Sequence, residues 1–439
     1  MKPLVAIVGR PNVGKSTFFN KVSKTRSAIV NNTPGVTRDR VYADADWLGY
    51  KFTLIDTGGI EMKSDDLMWR EIRKQAEIAV ELCDIILFMV DGKIGINPGD
   101  YDVADYLRKS GKPVILVVNK LDDGKDDGIY DFYNLNIGAP HGISSEHSLG
   151  LGDLLDEIVA FFPDLERNIE EDPNITKIAI VGKPNAGKSS LLNKILGYER
   201  AIVTDIPGTT RDAIDTPFER DGKRYMLIDT AGIRKKSKVS EDVEYYSVVR
   251  SISAIRRADI VLIVIDGVEM ISEQDTKICG LVHDAGKPSI VVVNKWDAVE
   301  KNPAITFEVT QKILKELKFM DYLKIAFVSA LTGKNVDKLF DTIHEVFDNS
   351  SRRIATGLLN DIIGDAIMLN PPPTDEGKPV RIYYSTQVST NPPVFVFFVN
   401  NPERVHFSYI RYLENQLRKA FQFEGTPIKL IMRSQDQKE

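Results

Sequence analysis

The segment Gly9-Arg10-Pro11-Asn12-Val13-Gly14-Lys15-Ser16 returns 173 residues later as Gly182-Lys183-Pro184-Asn185-Ala186-Gly187-Lys188-Ser189, and it does not return alone. Pro34-Gly35-Val36-Thr37-Arg38-Asp39 maps onto Pro207-Gly208-Thr209-Thr210-Arg211-Asp212, and Leu54-Ile55-Asp56-Thr57 onto Leu227-Ile228-Asp229-Thr230, at the same offset of 173. Asp91-Gly92 and Asn119-Lys120-Leu121-Asp122 map onto Asp266-Gly267 and Asn294-Lys295-Trp296-Asp297 at 175, and Ser144 onto Ser329 at 185. The second copy therefore gains two residues after Thr230 and about ten after Asp297. A period this long means a duplicated domain, not a stack of short repeats.

Each copy alternates aliphatic runs (Val5–Val8, Phe52–Ile55, Ile85–Val90, Val114–Val118) with helix-compatible stretches such as Lys15–Val22 and Pro98–Lys109. Continuous Val/Ile/Leu runs at this spacing predict strands buried on both faces of a mostly parallel sheet. The fold class is thus α/β, two domains with helices on both faces of the sheet. The boundaries expected are 1–162 and 175–350, separated by an acidic, proline-bracketed linker at 163–174. Residues 351–439 do not repeat. A helix over Gly357–Leu369, strands over Val380–Gln387 and Val394–Val399, a helix over Ser408–Phe421 and a strand over Ile428–Met432 make a small α-β-β-α-β domain.

Composition excludes several other classes. A hydrophobic fraction of 43% with 27% charged residues is that of a globular chain. The longest apolar runs, Ile85–Val90 and Ile260–Ile265, are too short to span a bilayer. The apolar start, Leu4–Val8, meets a motif at Gly9 without a small-residue cleavage site, so it reads as a first strand and not a targeting signal. Cys83 and Cys279 fall in different domains and are expected to be reduced, half-buried thiols. The net charge is -6, unevenly spread: Lys and Arg number 19 against 24 Asp and Glu over residues 1–163, 27 against 30 over 164–350, and 11 against 9 over 351–439. Only the last part is not repelled by nucleic acid, and its excess is too small to argue binding by itself.

The chemistry lies in the repeated motifs. Gly-x-x-x-x-Gly-Lys-Ser after a strand and before a helix is a phosphate-binding loop. Its backbone N–H groups, from about Asn12 to Thr17 and again through Ser190 in the second copy, can wrap phosphates at a helix N-terminus. Lys15 and Lys188 are expected to reach the β- and γ-phosphates, and Ser16 and Ser189 to ligate magnesium. Asp56 and Asp229 close aliphatic strands where a carboxylate can hold magnesium. The following Thr57-Gly58-Gly59-Ile60 and Thr230-Ala231-Gly232-Ile233 bring Gly59 and Gly232 N–H groups to the γ-phosphate. Thr37 and Thr210, in polar loops, can close over magnesium while a γ-phosphate is present.

Base choice is carried by Asn-Lys-x-Asp. Asp122 and Asp297 can accept hydrogen bonds from guanine N1–H and N2–H2, a donor pair that adenine lacks. The stems of Lys120 and Lys295 can lie along the base, Asn119 and Asn294 can brace the loops, and Ser144-Ser145 and Ser329-Ala330 can offer a backbone N–H to guanine O6. GTP and GDP with magnesium are therefore the expected ligands, and an ATPase is the weakest alternative.

These motifs carry a resemblance that runs the length of the chain. Two Gly-x-Pro-Asn-x-Gly-Lys-Ser loops, Asn32-Thr33-Pro34-Gly35-Val36-Thr37-Arg38-Asp39, and the C-terminal Tyr412-Leu-Glu-Asn-Gln-Leu-Arg418 and Phe423-Glu-Gly-Thr-Pro-Ile428 are similar to the EngA/Der family of bacterial double GTPases. The resemblance implies two Era-like GTPase domains and a C-terminal domain of KH-like topology. It also implies a role in maturing the large ribosomal subunit, through rRNA or ribosomal proteins, in the cytoplasm, as a monomer that neither binds DNA nor spans a membrane. It implies slow intrinsic turnover, because Ile60 and Ile233 stand where Ras-type enzymes place a water-orienting Gln. Asn12 and Asn185 resemble the Asn that coordinates potassium in related GTPases.

Two departures qualify that reading. A nucleic-acid-binding KH module clamps its ligand with Gly-x-x-Gly, and no such loop occurs; Asn370-Pro371-Pro372-Pro373 lies in a comparable region. Arg352, Arg353, Arg381, Arg411, Arg418 and Lys419 remain as cations that could touch phosphate. The second copy also has a basic run, Arg234-Lys235-Lys236-Ser237-Lys238, where the first has Glu61-Met62-Lys63-Ser64-Asp65-Asp66. This unlike second switch is expected to contact rRNA or another domain in one nucleotide state. Two other functions stay open: a nucleotide-gated rRNA-binding module in which one site turns over, and a tRNA-modification GTPase, for which no further domain is apparent.

Overall fold

The computed structural model describes residues 3–24, 42–56, 65–122, 128–163, 175–197, 201–203, 215–230, 242–300, 302–373 and 379–434. By backbone proximity, residues 1–172 and 239–253 form one unit and 173–238 and 254–439 another.

In the first unit, strands β1 (Leu4–Val8), β2 (Tyr42–Trp47), β3 (Tyr50–Asp56), β4 (Ile85–Asp91), β5 (Val114–Asn119) and β6 (His141–Gly142) form one sheet in the order β2-β3-β1-β4-β5-β6. β1 runs parallel to β3 and β4, and β5 to β4 and β6; only the edge strand β2 is antiparallel. Helices α1 (Lys15–Lys24), α2 (Asp65–Leu82), α3 (Pro98–Lys109) and α4 (Leu151–Ala160) accompany the sheet. Alternate residues of β1 enter different cores: Val5 and Ile7 pack with Phe18, Phe52 and Leu154, while Leu4, Ala6 and Val8 pack with Ala76, Phe88 and Leu107. That alternation is why the strand reads as an unbroken apolar run.

The second unit repeats the plan. Strands β7 (Ile175–Val181), β8 (Ala201–Val203), β9 (Thr216–Arg220), β10 (Lys223–Ile228), β11 (Ile260–Asp266), β12 (Ser289–Asn294) and β13 (Lys324–Phe327) lie in the order β13-β12-β11-β7-β10-β9-β8. Helices α5 (Lys188–Leu196), the end of α6 (Asp242–Arg257, of which only 254–257 belong to this unit), α7 (Glu273–Asp284), α8 (Ile305–Glu316) and α9 (Val336–Ser351) accompany them. The ten residues gained after Asp297 become α8, where the first copy has only the short 3₁₀ turn Ile129–Leu135. α8 turns Val309 and Ile313 into the core.

The non-repeating part follows as α10 (Thr356–Leu369), β14 (Ile382–Ser389), β15 (Val394–Val399), α11 (Phe407–Phe421) and β16 (Lys429–Ser434). β15 is antiparallel to β14 and parallel to β16. The α-β-β-α-β order is the one expected, with β14 starting two residues later than the pattern indicated. Within this unit the turn before β16 docks on the GTPase sheet. Gly425 N–H donates to Tyr322 C=O at 2.6 Å, and Ser289 N–H at the start of β12 donates to Gly425 C=O at 2.8 Å. Thr426 Oγ1 reaches Val346 C=O at 3.3 Å, and the Arg418 guanidinium lies 4.8 Å above the Tyr322 ring.

Two expectations are corrected or qualified. Cys83 and Cys279 are fully buried, not half-buried, and burial pushes the Cys279 thiol far up. The linker from 164 to 174, the basic run Arg234–Lys238 and its counterpart Glu61–Ser64 lie outside the described residues. No described helix is long and apolar enough to cross a membrane.

Candidate functional site

The strand order places the motifs side by side. Asp56 ends β3, Gly9 follows β1, Asp91 ends β4, Asn119 ends β5 and Ser144 follows β6. All five lie at the carboxyl edge of the parallel strands, where open α/β sheets bind ligands. The second sheet aligns Ile228–Asp229, Gly182, Asp266, Asn294 and Ser329 in the same way.

Each phosphate loop is a tight turn braced from the far side. Asn12 and Asn185 have φ of 64° and 63°, in the left-handed region that Asn tolerates better than most residues. A Cβ on Gly14 would lie 2.2 Å from Nδ2 of Asn119, and one on Gly187 2.2 Å from Nδ2 of Asn294, so the bracing amide needs both glycines bare. Asn119 Nδ2 donates to Val13 C=O at 2.7 Å, and its Oδ1 accepts Ser145 N–H at 2.9 Å. Asn294 does the same with Ala186 C=O at 3.0 Å and Ala330 N–H at 3.0 Å. One buried amide thus ties three loops in each copy.

Lys15 Nζ donates to the carbonyls of Gly9 and Arg10, and Lys188 Nζ to those of Gly182 and Lys183, each at 2.7 Å. Burial lowers both ammonium pKa values to about 8, opposed by the charge of Asp56 at the first site and of Asp275 at the second. Such a lysine gains by taking up a phosphate, which restores the charge that burial disfavours. Ser16 Oγ donates to Asp56 Oδ2 at 2.9 Å, so a hydroxyl and a carboxylate meet beside the loop. Hard oxygen donors with room for phosphate oxygens suit magnesium. Pro11, Pro184, Val13 and Ala186 complete the loops, with Val13 and Ala186 buried against the core. Thr17 and Ser190 stand in the first turns of α1 and α5. Thr37, Thr57, Gly58, Gly59, Ile60, Thr210, Ala231, Gly232 and Ile233 lie outside the described residues. Thr230, buried, shares a 2.9 Å hydrogen bond with the Thr216 hydroxyl, and Asp229 N–H donates to Asp215.

At the base end, Ser144 Oγ donates to Asp122 Oδ1 at 2.6 Å, orienting the carboxylate. Lys120 Nζ lies 2.6 Å from Asp91 Oδ2, and Lys295 Nζ 2.5 Å from Asp266 Oδ2. Both aspartates are buried and cap the next turn through their other oxygen. Asp91 and Asp266 thus fix Lys120 and Lys295, the lysines whose stems are expected to lie along the base, a role the sequence reading did not give these aspartates. Their recurrence as Asp-Gly at offset 175 was the available signal.

The carboxylate partners of Arg10 and Lys183, Asp100 and Asp275, were also missed. Arg10 Nε meets Asp100 Oδ1 at 2.9 Å, both buried, and Asp100 Oδ2 accepts Asn97 N–H in a capping box that opens α3. Lys183 Nζ lies 3.6 Å from Asp275 Oδ2 and 2.9 Å from Glu269, and Asp275 closes the capping box of α7. The second residue of each phosphate loop is therefore clasped to a helix start. Desolvation pushes the Asp100 carboxyl up, with the Asn97 N–H and the Arg10 charge opposing it. Lysine cannot present the guanidinium fork, and Asp275 Oδ1 is buried with no hydrogen-bond partner among the described residues.

Comparison with known proteins agrees in extent with the duplicated plan. Residues 4–120 and 177–295 match the family described as 50S ribosome-binding GTPase. Residues 353–433 match the family described as KH-domain-like of EngA bacterial GTPase enzymes, C-terminal. Proteins called GTPase Der from Clostridium botulinum (strain Kyoto / Type A2) and Agathobacter rectalis are 56% identical over 438 residues and 53% over 440, each alignment covering 100% of both chains. A crystal structure of Era in complex with MgGDPNP and nucleotides 1506–1542 of 16S ribosomal RNA is 23% identical, covers 60% of this chain and 93% of its own, and has a TM-score of 0.32.

Proposed function

Since the chain belongs to the EngA (Der) family and is a GTP-hydrolysing enzyme, we propose that it is a two-site GTP switch acting in maturation of the large ribosomal subunit. The observation that carries this is the shared bracing: the same buried Asn joins the phosphate loop, the base motif and the Ser-Ser or Ser-Ala loop in both copies. Two sites built alike to this degree are expected to take the same class of nucleotide. It is a monomer in this reading and works in the cytoplasm.

In each site Lys15 or Lys188 leaves the loop carbonyls for the β- and γ-phosphates, and the loop N–H groups from Asn12 or Asn185 onward wrap the rest. Ser16 with Asp56, and Ser189 with Asp229, would hold magnesium, which would balance phosphate charge, and Thr37 or Thr210 would join them in the GTP state. Asp122 and Asp297 read guanine. With Ile60 and Ile233 unable to orient water, intrinsic turnover is expected to be slow, and Asn12 or Asn185 would hold a potassium ion that would supply the missing positive charge. Equal GTP turnover in potassium and sodium would remove the ion from this account.

Sedimentation with ribosomal subunits tests the switch. Association with the large subunit is expected to differ between GDP and a non-hydrolysable GTP analogue, and nucleotide-independent association would exclude it. Lys15→Ala and Lys188→Ala, made separately, are each expected to lower turnover. Loss in only one of them would favour a gated module with a single working site.

A further inference from the structure

The turn after β4 and its counterpart after β11 have the same backbone but are tied to opposite ends of their nucleotide sites. Asp91 Oδ1 accepts Lys93 N–H at 2.9 Å and Ile94 N–H at 3.2 Å, and Asp266 Oδ1 accepts Val268 N–H at 2.8 Å and Glu269 N–H at 3.3 Å. Lys93 and Val268 thus occupy the same position of the same turn, as do Ile94 and Glu269. In the second copy Glu269 reaches the phosphate loop, through Lys183 at 2.9 Å. In the first copy Lys93 reaches the base motif: its Nζ lies 2.5 Å from Asp122 Oδ2.

That contact matters because of what Asp122 is expected to do. Its Oδ1 already accepts the Ser144 hydroxyl at 2.6 Å, so both oxygens of the base-reading carboxylate are engaged by protein donors. A carboxylate binds guanine by accepting from N1–H and N2–H2 together, one oxygen for each. The serine uses one lone pair of Oδ1 and can stay, but an ammonium 2.5 Å from Oδ2 stands where a base donor must approach. In the second copy the Val268 side chain carries no donor, and no hydrogen bond to Asp297 is found among the described residues.

We propose that Lys93 is a specificity-determining competitor built into the first site: its ammonium occupies Asp122 and must be displaced by guanine, so the first site pays for base recognition in a way the second does not. Lys93 is 61% exposed on its side chain. The ammonium therefore moves into water at small cost, and the effect is set by the worth of an exposed ion pair, about two- to fivefold in affinity. Because the pair faces solvent, salt weakens the competition. A purely structural role is a different case. Asp91 holds the turn through the backbone N–H groups of Lys93, Ile94 and Gly95, and these bonds do not involve the ammonium, so they remain when it is removed.

The inference rests on Asp122 being the base reader, and the experiment separates the two. In the full chain with Lys188→Ala silencing the second site, a fluorescent GDP analogue is titrated into the parent, Lys93→Met and Lys93→Arg at 50 and 500 mM salt. K93M is expected to bind about two- to fivefold tighter than the parent at low salt, with the gain shrinking at high salt, while K93R stays near the parent. Val268→Lys with Lys15→Ala is expected to weaken GDP at the second site by a similar factor. K93M binding no tighter, or more weakly, overturns the proposal. Asp122→Asn supplies the control: exchanging an acceptor for a donor should shift preference from GDP to XDP. If it does not, Asp122 is not the base reader and the reading beneath the proposal fails first.

Discussion

Asn119 Nδ2 sits 2.7 Å from the carbonyl oxygen of Val13, across the 106 residues that separate the phosphate loop from the base motif, and Gly14 leaves it the space. The amide is buried, so its two partners have no water to turn to if it is removed.

Asn119→Ala should therefore weaken nucleotide binding at the first site. It leaves Val13 C=O and Ser145 N–H unpaired, at roughly 1–3 kcal/mol each; if about half of that total falls on nucleotide binding rather than on folding, affinity drops by at least about fivefold and by up to about a hundredfold. Gly14→Ala should act in the same direction, by displacing the amide. Titration of a fluorescent GDP analogue in a Lys188→Ala background checks both, and unchanged affinity in either would remove the brace from the account of the site.

Buried Lys15 and part-buried Lys188 are expected to make binding depend on pH. With Lys15 and Lys188 lowered to about 8, the empty sites hold largely neutral amines at pH 9, whereas bound phosphates favour the charged form. Binding at pH 9 should take up protons, and affinity should fall as pH rises above about 8. The same shift acts oppositely on folding: between about 8 and the ordinary lysine value of 10.5 the folded chain holds fewer protons than the unfolded one, so these groups favour the empty folded state increasingly as pH rises through that window. Calorimetry of GDP binding in two buffers of different ionisation enthalpy reads the proton count. A count of zero at pH 9 would contradict the assignment.

Arg10→Ala removes the cation from a carboxylate, Asp100, that is 1% exposed. Stranding a buried charge costs roughly 3 kcal/mol or more, so the first domain should unfold at lower temperature, while Arg10→Lys, copying the second domain, should keep most of the stability. Thermal unfolding followed by circular dichroism distinguishes them. Equal midpoints for parent and Arg10→Ala would show the clasp to be inert.

Gly425 has a φ of 72°, and a Cβ there would lie 2.3 Å from Val346 Cγ2. Both facts oppose any side chain, so Gly425→Ala should loosen the turn against β12 and α9 at about 1–3 kcal/mol. Hydrogen exchange at Ser289 N–H, which donates to Gly425 C=O, should speed up. Unaltered exchange there would mean that the turn accommodates the methyl.

Much of this protein was legible without coordinates, because its signals are local. The phosphate loop is eight consecutive residues between a strand and a helix, and unbroken aliphatic runs such as Ile85–Val90, short and closed by Asp-Gly, read as strands covered on both faces. Repetition at nearly fixed offsets then aligned Asp56 with Asp229 and Asn119 with Asn294. What the sequence left unassigned joins residues far apart: Arg10 with Asp100, Lys120 with Asp91, Lys93 with Asp122, Gly425 with Ser289. An isolated lysine, aspartate or glycine reads most simply as a surface charge or a turn. Only the order of strands in the sheet decides which of these side chains meet. For that reason the sequence alone made the two copies equivalent at phosphate, magnesium and base, while the tertiary structure showed the turn after Asp91 reaching the base and the turn after Asp266 reaching the phosphate loop.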